Sequence, residues 1–338
     1  MNPNVLLRNK SKRLAGILAI LLASMLILTS CGKEKVYKVG VLSGLDFLVP
    51  ITEGFKAEMS ELGYVEGENI TYDVQTTNFD IAAYQTILQQ FVDDEVDLIF
   101  VYPTEATLEA KALTEGTDIP VVFNFAQIEG LGIVDSVREP GGNLTGVRFP
   151  GPDIVLRRFE VMHEIFPDAT EIMVPYQRGY PIVGPQLDLL LPAAEAAGVN
   201  IIEVPADNAA ELASILQERT DSGDIGMDAI MFVVEPLTVT PDAFAVLSEF
   251  AEEHQLPIGG HIFPTDGYGS LFEVNANPIV AGAQAAPIAD KILSGEQEVG
   301  TIPVVSMEMN FILNLKQAED MGLVIPDDLL IVADEIVR

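Results

Sequence analysis

A regular alternation of short β-branched apolar runs with amphipathic stretches constrains the fold of this chain most strongly. The first series comprises residues 39–42, 51–62, 70–74, 81–92, 97–101, 105–113 and 120–123. The alternation then restarts at residues 154–165, 171–174, 186–197, 201–204, 209–218, 229–234, 243–253 and 257–259. Strands that alternate with helices of this length indicate βαβ units, and so parallel sheets covered by helices. We therefore predict an α/β chain of two Rossmann-like lobes with parallel sheets, joined by a hinge.

The restart also sets the expected lobe boundaries. We assign residues 36–147 to a first lobe, completed by about 276–302, and residues 148–275 to a second lobe, completed by about 303–338. The Pro/Gly-rich loop at residues 139–143 lies where the first series ends, and it predicts the approach to the hinge. Apolar residues make up 49% of the chain, enough for a core in each lobe.

The first thirty residues have the pattern of a lipoprotein signal peptide. Four basic residues precede an uncharged apolar run at 14–28, and Leu28, Thr29, Ser30 and Cys31 follow, a sequence that resembles the bacterial lipobox. The run of about 15 residues is shorter than the roughly 20 that a transmembrane helix needs. We expect acylated Cys31 to anchor the chain to a membrane, with residues 31–35 as linker.

The cysteine content argues against a disulfide within the chain, and the charge argues against a nucleic-acid partner. Cys31 is the single cysteine, so no disulfide within the chain is expected and the fold depends on its own core. Residues 1–30 hold four basic and no acidic residues, so residues 31–338 carry 14 basic against 51 acidic residues. Such a surface repels phosphate backbones, and we expect no nucleic-acid partner.

Motifs for catalysis or metal binding are missing from the sequence. None of the three histidines has a second His or Cys at ligand spacing, and no Gly-x-Ser-x-Gly, Walker or Gly-x-Gly-x-x-Gly motif occurs. We therefore predict no catalytic residues, no metal and no cofactor. Adjacent carboxylates such as Asp93 and Asp94 carry no weight, because acid pairs are inevitable in so acidic a chain.

Polar and aromatic residues directly follow several predicted strands. In open α/β sheets, ligands bind beyond these carboxyl ends of the strands. In the first lobe they are Ser43, Asp46, Phe47, Tyr102, Thr104, Asn124 and Phe125; in the second they are Tyr176, Arg178, Glu235, His261 and Phe263. Aromatic faces with a few polar groups are typical of small-molecule pockets. Two lobes that face each other through such residues indicate a cleft that closes over a small ligand by hinge motion.

From Val36 to the C-terminus the chain resembles the tryptophan or aromatic amino-acid type of ABC substrate-binding lipoprotein, a branch of the type I periplasmic-binding-protein fold. The motifs that carry the resemblance are residues 38–42, 54–56, 61–70, 97–99, 119–123, 140–147, 166–169, 312–316 and 325–329. The resemblance implies an extracytoplasmic protein that delivers a small molecule to an ABC permease with its ATPase, and no enzymatic activity.

The resemblance also implies roles for individual residues. Thr104, at a helix start, would hold an amino-acid carboxylate, in keeping with the anion affinity of helix N-termini. Glu235 stands where the family has an Asp for the ammonium group, and Asn275 takes a further polar position near the second hinge. The turn at 175–178, with Arg178, and the loop at 127–129 depart from the family pattern. These departures leave three classes of ligand open: an aromatic or branched amino acid, a nucleoside and a peptide-like solute.

Two alternatives share the same sequence features. A ligand-sensing lipoprotein that signals to a membrane partner would have the same fold and cleft. A surface hydrolase is the third hypothesis, and the lack of a nucleophile paired with a base weighs against it.

Overall fold

A computed structural model describes residues 35–263 and 267–338. The strands are β1 (Tyr37–Ser43), β2 (Ile70–Thr76), β3 (Leu98–Tyr102), β4 (Val121–Ala126), β5 (Leu144–Arg148), β6 (Glu171–Gln177), β7 (Asn200–Ala206), β8 (Ala229–Met231), β9 (Ile258–Gly259), β10 (Phe272–Ala276), β11 (Val305–Ser306), β12 (Met309–Asn314) and β13 (Glu335–Val337). The helices are α1 (Val49–Glu61), α2 (Ile81–Asp93), α3 (Thr104–Thr114), α4 (Gly151–Ile165), α5 (Val183–Ala196), α6 (Ala209–Ser222), α7 (Pro241–His254), α8 (Pro278–Leu293), α9 (Leu315–Asp320) and α10 (Asp327–Val332). The predicted signal peptide and Cys31 lie outside the described residues.

Polar side chains at four helix starts explain where those helices begin. The side chains of Asp80, Asn208, Thr240 and Asn277 each accept hydrogen bonds from main-chain N–H groups in the first turn of the helix that follows. These N–H groups have no partner within the helix, so the caps stabilise α2, α6, α7 and α8 by about 1 kcal/mol each.

The first sheet contains six strands in the order β11-β5-β4-β3-β1-β2, and every pair is parallel. Strand β3 lies between two others and is buried along its whole length, which explains its uninterrupted apolar sequence. Strand β11 falls in the stretch assigned from sequence to the second lobe, yet it pairs with β5 of this sheet. The first sheet with α1, α2, α3 and α8 is called the first lobe below.

The second sheet has the order β7-β6-β8-β9 and is also parallel. A third sheet, β10-β12-β13, continues it, because the main chain at Gly260 bonds to Phe272 and Val274 of β10. The pairing of β10 with β12 is antiparallel. Both sheets with α4 to α7 form the second lobe. The sequence pattern did not predict β10 as a strand.

The chain passes between the lobes at three points within the described ranges. They lie between β5 and α4, between β10 and α8, and between β11 and β12. The loop at 139–143, predicted to approach the hinge, does not lie there. It precedes β5, where Gly141 bonds to Gly300, whereas the crossing follows the other end of that strand. Its turn residues lead directly into the start of β5 instead.

Helix α8 belongs to the first lobe although it lies far along the chain. It packs on α1 at two glycines, because a Cβ atom at Gly282 would overlap the Ile51 carbonyl and one at Gly54 would overlap the Ile279 carbonyl. The side-chain amide of Asn124 on β4 also donates to the carbonyl of Ala281 at 2.8 Å. Close backbone approach therefore explains the small residues of α8.

None of the helices described is both long and apolar enough to cross a membrane.

Candidate ligand-binding site

The carboxyl edges of the two parallel sheets meet through direct hydrogen bonds. Tyr180, in the loop after β6, donates its phenolic hydrogen to Glu105 in the first turn of α3 at 2.6 Å. Gln127, just after β4, donates its side-chain amide to the carbonyl of Ile182 at 3.2 Å. These bonds join strand-end loops of opposite lobes, so the expected cleft lies at these edges, with its lobes in contact.

A second glutamine organises the wall of the second lobe. The Gln186 amide nitrogen donates to the carbonyls of Ile182 and Val234, at 2.9 and 2.7 Å. Its side-chain oxygen accepts the N–H of Val234 at 2.8 Å. Gln186 therefore fixes the loop after β6 to the segment that leads to Glu235. The Gln186 side chain is fully buried, so these bonds satisfy its polar atoms in the absence of water.

Thr104 is the first residue of α3 and is buried. Its hydroxyl oxygen accepts the N–H of Gln127 at 3.0 Å, which leaves the hydroxyl hydrogen available as a donor. Ser43, at the end of β1, donates to the carbonyl of Leu45 at 3.2 Å. The structure thus brings Thr104 to the interlobe contact beside Glu105, and it gives Ser43 a local turn.

Glu235 follows β8 and is only 3% exposed. One carboxylate oxygen accepts the N–H groups of Gln177 and Leu237, at 2.9 and 2.7 Å. The other accepts the N–H and the hydroxyl of Thr238, at 2.6 and 2.5 Å. Each carboxylate oxygen of Glu235 therefore accepts two hydrogen bonds from the protein. The buried carboxylate holds the strand-end loops of β6 and β8 together.

A buried arginine is coupled to this carboxylate through its charge. Arg158 on α4 is 2% exposed and donates to the carbonyls of Phe232 and Val274, both at 2.9 Å. Burial lowers the pKa of Arg158 to about 10, and the charges of Glu273 and Glu235 oppose that shift. Arg158 therefore ties the end of β8 to β10 and balances two carboxylates.

His261 follows β9 and pairs with Glu273 on β10, with 2.8 Å between Nδ1 and the carboxylate. Burial alone would raise the pKa of Glu273, but the close contact with His261 and its charge, the N–H of Ile262 and the charge of Arg158 lower it on balance. This pair connects the loop after β9 to the strand that leads into the second crossing.

The predicted aromatic residues have different surroundings. Phe47 is 63% exposed, in a short 3-10 turn that also holds exposed Asp46. Phe125 has a positive φ of 48° where the register of β4 shifts, and its ring lies 4.4 Å from that of Phe149. Phe263 stacks on Phe244 at 4.2 Å. Phe47 therefore offers the most open aromatic face among these three.

Other predicted site residues make contacts within one lobe. Tyr102 is buried and its hydroxyl is 2.6 Å from that of Thr52, while Asn124 holds α8 as described above. Tyr176 donates to Glu203 at 2.6 Å. Arg178 is 48% exposed and pairs with Asp207 and Glu211. The side-chain oxygen of Asn275 accepts the N–H of Ala276 on the same strand.

The sequence analysis did not predict five residues of this site: Tyr180, Glu105, Gln127, Gln186 and Arg158. Tyr180 lies inside a loop, several residues beyond the strand end that served as the guide, and Arg158 lies on a helix. The one available signal was the unusual turn at 175–178, which marks the loop that reaches across the cleft.

A separate cavity of about 1280 Å³ opens at the opposite, amino edge of the first sheet. Its lining includes Lys35, Asp97, Lys111, Asp118 and Asn143. It is far from the strand ends described above, so the interlobe contacts define the candidate site. In the described part of the chain, no three His, Cys, Asp or Glu side chains are grouped to hold a metal ion.

Comparisons with solved structures define the fold. A domain from Streptococcus pneumoniae in complex with L-Trp is 22% identical, with a TM-score of 0.72 over 90% of this chain and 100% of that one. The ligand-free, open structure of a substrate-binding protein with adhesive properties from Clostridium difficile is 23% identical, with a TM-score of 0.72 over 90% and 99% of the two chains. The chain has the type I periplasmic-binding-protein fold.

Sequence comparisons define the family. A tyrosine-binding protein from Clostridioides difficile is 26% identical over 291 residues, which is 85% of this chain and 80% of that protein. The sequence profile of the family described as ABC transporter substrate binding protein matches residues 38–337. Because this match spans both lobes and their crossings, the chain belongs to the family of ABC transporter substrate-binding proteins.

Proposed function

We propose that this chain is the extracytoplasmic solute-binding lipoprotein of an ABC importer and that it binds an amino acid, with aromatic amino acids as first candidates. The ligand lies between the lobes and stabilises their closed arrangement. The closed form then docks on a permease with its ATPase. The protein binds and releases its ligand unchanged and is not an enzyme.

The observation that carries this proposal is the meeting of two parallel-sheet edges through Tyr180, Glu105 and Gln127, in a chain of this family. Parallel sheets bind ligands at these edges. Two relatives add the ligand class: one is named for tyrosine and another was solved with L-Trp. A ligand that contacts both lobes favours the closed state by its differential affinity.

Thr104 and Glu235 remain the proposed contacts for the ligand carboxylate and ammonium groups. Thr104 begins α3 and keeps a hydroxyl hydrogen free, which suits a carboxylate at a helix N-terminus. Glu235 acts chiefly through its negative charge, because four donors of the protein already fix its oxygens. An aromatic ligand ring would pack against Phe47 or Phe125.

A thermal-shift screen tests the proposal with a chain that starts at residue 32 and so retains every described residue. Amino acids, nucleosides and small organic acids form the panel. A ligand at about 100 times its Kd stabilises the folded state by about 2.7 kcal/mol, which gives a shift of several degrees. We expect that shift with an aromatic amino acid. A shift with nucleosides alone would exclude an amino acid as the ligand. No shift with any solute would contradict the binding function.

The membrane anchor needs a separate experiment. We propose that Cys31 is acylated and holds the protein at the outer side of a membrane. Full-length protein in a bacterial host should partition with membranes and incorporate labelled fatty acid. Cys31→Ala should abolish the label. Equal labelling of both proteins would contradict the anchor without affecting the proposed binding function.

A further inference from the structure

We infer that Tyr180 and Glu105 form a clasp that closes the two lobes over the ligand and sets its rate of release. This inference rests on the proposed function, since it assigns the residues that control the same cleft. It adds an interlobe contact that acts on affinity without touching the groups that recognise the amino acid.

The contact is short and joins groups of opposite lobes. The phenolic oxygen of Tyr180 lies 2.6 Å from a carboxylate oxygen of Glu105, a distance typical of a hydrogen bond to a charged acceptor. Burial, followed by the charge of Glu105, raises the pKa of Tyr180 far above its usual range. The phenol therefore stays a neutral donor at every physiological pH.

The other hydrogen bond between the strand-end loops is longer and uncharged. Gln127 donates to the carbonyl of Ile182 at 3.2 Å, only two residues beyond Tyr180. These two contacts thus reach the second lobe through one short loop, which Gln186 fixes to the lobe by its bond to Ile182. Because bonds to ionised groups are roughly twice as strong as neutral ones, the bond from Tyr180 is the stronger of these two.

The clasp lies beside the proposed ligand contacts. Glu105 directly follows Thr104, and the charge of Glu235 is among the influences that raise the pKa of Tyr180. Closing the clasp therefore brings the proposed carboxylate and ammonium contacts of the two lobes together. A ligand between Thr104 and Glu235 is held as long as the bond from Tyr180 to Glu105 keeps the lobes together.

The chain offers a matched control for the phenol. Tyr64 donates to Asp290 at 2.9 Å, but both residues belong to the first lobe. Tyr180→Phe and Tyr64→Phe each remove one hydroxyl from a phenol–carboxylate pair and keep the ring. A closing role predicts different results for these two variants, whereas a general loss of stability predicts similar ones.

The first measurement is ligand affinity and release for the chain starting at residue 32, with the amino acid found by the thermal-shift screen as probe. Loss of a hydrogen bond to a charged group should raise the Kd about tenfold for Tyr180→Phe, mainly through faster dissociation. Tyr64→Phe should bind as the unmodified chain does. Glu105→Ala should match Tyr180→Phe, and the double variant should be no weaker than either single one.

The second measurement is the closed fraction without ligand. Cys31 is the only cysteine, so the truncated chain accepts two engineered ones without interference. Ala82→Cys and Ala210→Cys replace exposed residues in the first turns of α2 and α6, on opposite lobes. Fluorescence transfer between dyes at these positions should fall in Tyr180→Phe and stay unchanged in Tyr64→Phe, because only the first variant lacks the clasp.

Several outcomes would overturn the clasp. They are unchanged dissociation and unchanged transfer in Tyr180→Phe, additive effects of Tyr180→Phe and Glu105→Ala, or equal losses in Tyr64→Phe. A loss of affinity in Tyr180→Phe with none in Glu105→Ala would make Tyr180 a direct ligand contact and also overturn it. If the unmodified chain binds no solute, the proposed function fails, and the fluorescence measurement still decides whether the clasp holds the lobes together.

Discussion

Thr238 donates both its main-chain N–H and its hydroxyl to one carboxylate oxygen of Glu235, at 2.6 and 2.5 Å. The other oxygen accepts the N–H groups of Gln177 and Leu237, so the carboxylate connects the loops after β6 and β8. Glu235 is therefore a structural residue of the second lobe as well as a proposed ligand contact.

Glu235→Ala should destabilise the ligand-free protein. It leaves three N–H groups and a hydroxyl near a buried site without their acceptor, at a cost of about 2–4 kcal/mol. Chemical denaturation of the ligand-free chain measures this cost. Loss of ligand binding in this variant alone would not establish an ammonium contact, because the same change loosens the loop.

Thr238→Val provides the corresponding control for Glu235. It removes one hydroxyl donor and preserves the carboxylate charge, so we expect a loss of about 1 kcal/mol in stability. Ligand affinity should change little if the charge of Glu235 is what the ammonium recognises. A large loss of affinity in Thr238→Val would show that loop position, and not charge, governs binding.

Glu273 should contribute to the acid stability of the second lobe. Its pKa is lowered in the folded state, so its stabilising contribution is complete above the unfolded value of 4.5 and is lost as the pH falls through the folded value. Glu273→Gln should therefore flatten the loss of unfolding free energy below about pH 4.5. Denaturation at several pH values checks this, with exposed Glu253→Gln as control. Parallel curves for the Glu273 variant and the unmodified chain would contradict it.

The alternation of strands and helices was enough to predict the α/β class, the parallel sheets and two lobes. Residue β-propensity and helix periodicity are local properties, and here they agree with the final structure. The place of α8 could not be predicted in the same way. It depends on the close approach of Gly54 and Gly282 to the opposite helix backbones, a contact between segments distant in sequence.

The site was predicted less completely, for two physical reasons. Strand ends fix the edge of a sheet, but side chains there alternate in direction, so Tyr102 and Asn124 turn into the first lobe. Contacts such as Tyr180 with Glu105 depend on how two lobes are oriented. Sequence periodicity holds no information about that orientation, so residues inside loops were missed.

Gly282→Ala should destabilise the first lobe. The added Cβ atom would overlap the Ile51 carbonyl, so α8 must shift away from α1. Such overpacking costs about 1–3 kcal/mol, measured by denaturation. Gly184→Ala is the matched control, because a Cβ atom at Gly184 on α5 meets no atom and the helix gains from alanine. Equal stability of the two variants would disprove the close packing of α1 and α8.

Phe47→Ala should weaken ligand binding while leaving the fold intact. The ring is 63% exposed in the loop after β1, so its removal should change the unfolding free energy by less than about 0.5 kcal/mol. Stacking on an aromatic ligand is worth about 1 kcal/mol, which predicts a Kd about fivefold higher for an aromatic amino acid. The Kd for any aliphatic amino acid that binds should change less.

Phe79→Ala is the control, because Phe79 is 38% exposed in the loop after the neighbouring strand β2. Calorimetric titration of both variants with the same amino acid separates the two positions. Unchanged affinity in Phe47→Ala, together with reduced uptake by cells that carry the variant, would indicate a different role for Phe47. The residue would then belong to the surface that contacts the permease and not to the ligand pocket. Equal losses in both variants would instead indicate a general effect on the edge of the first lobe, because only Phe47 was assigned to the ligand.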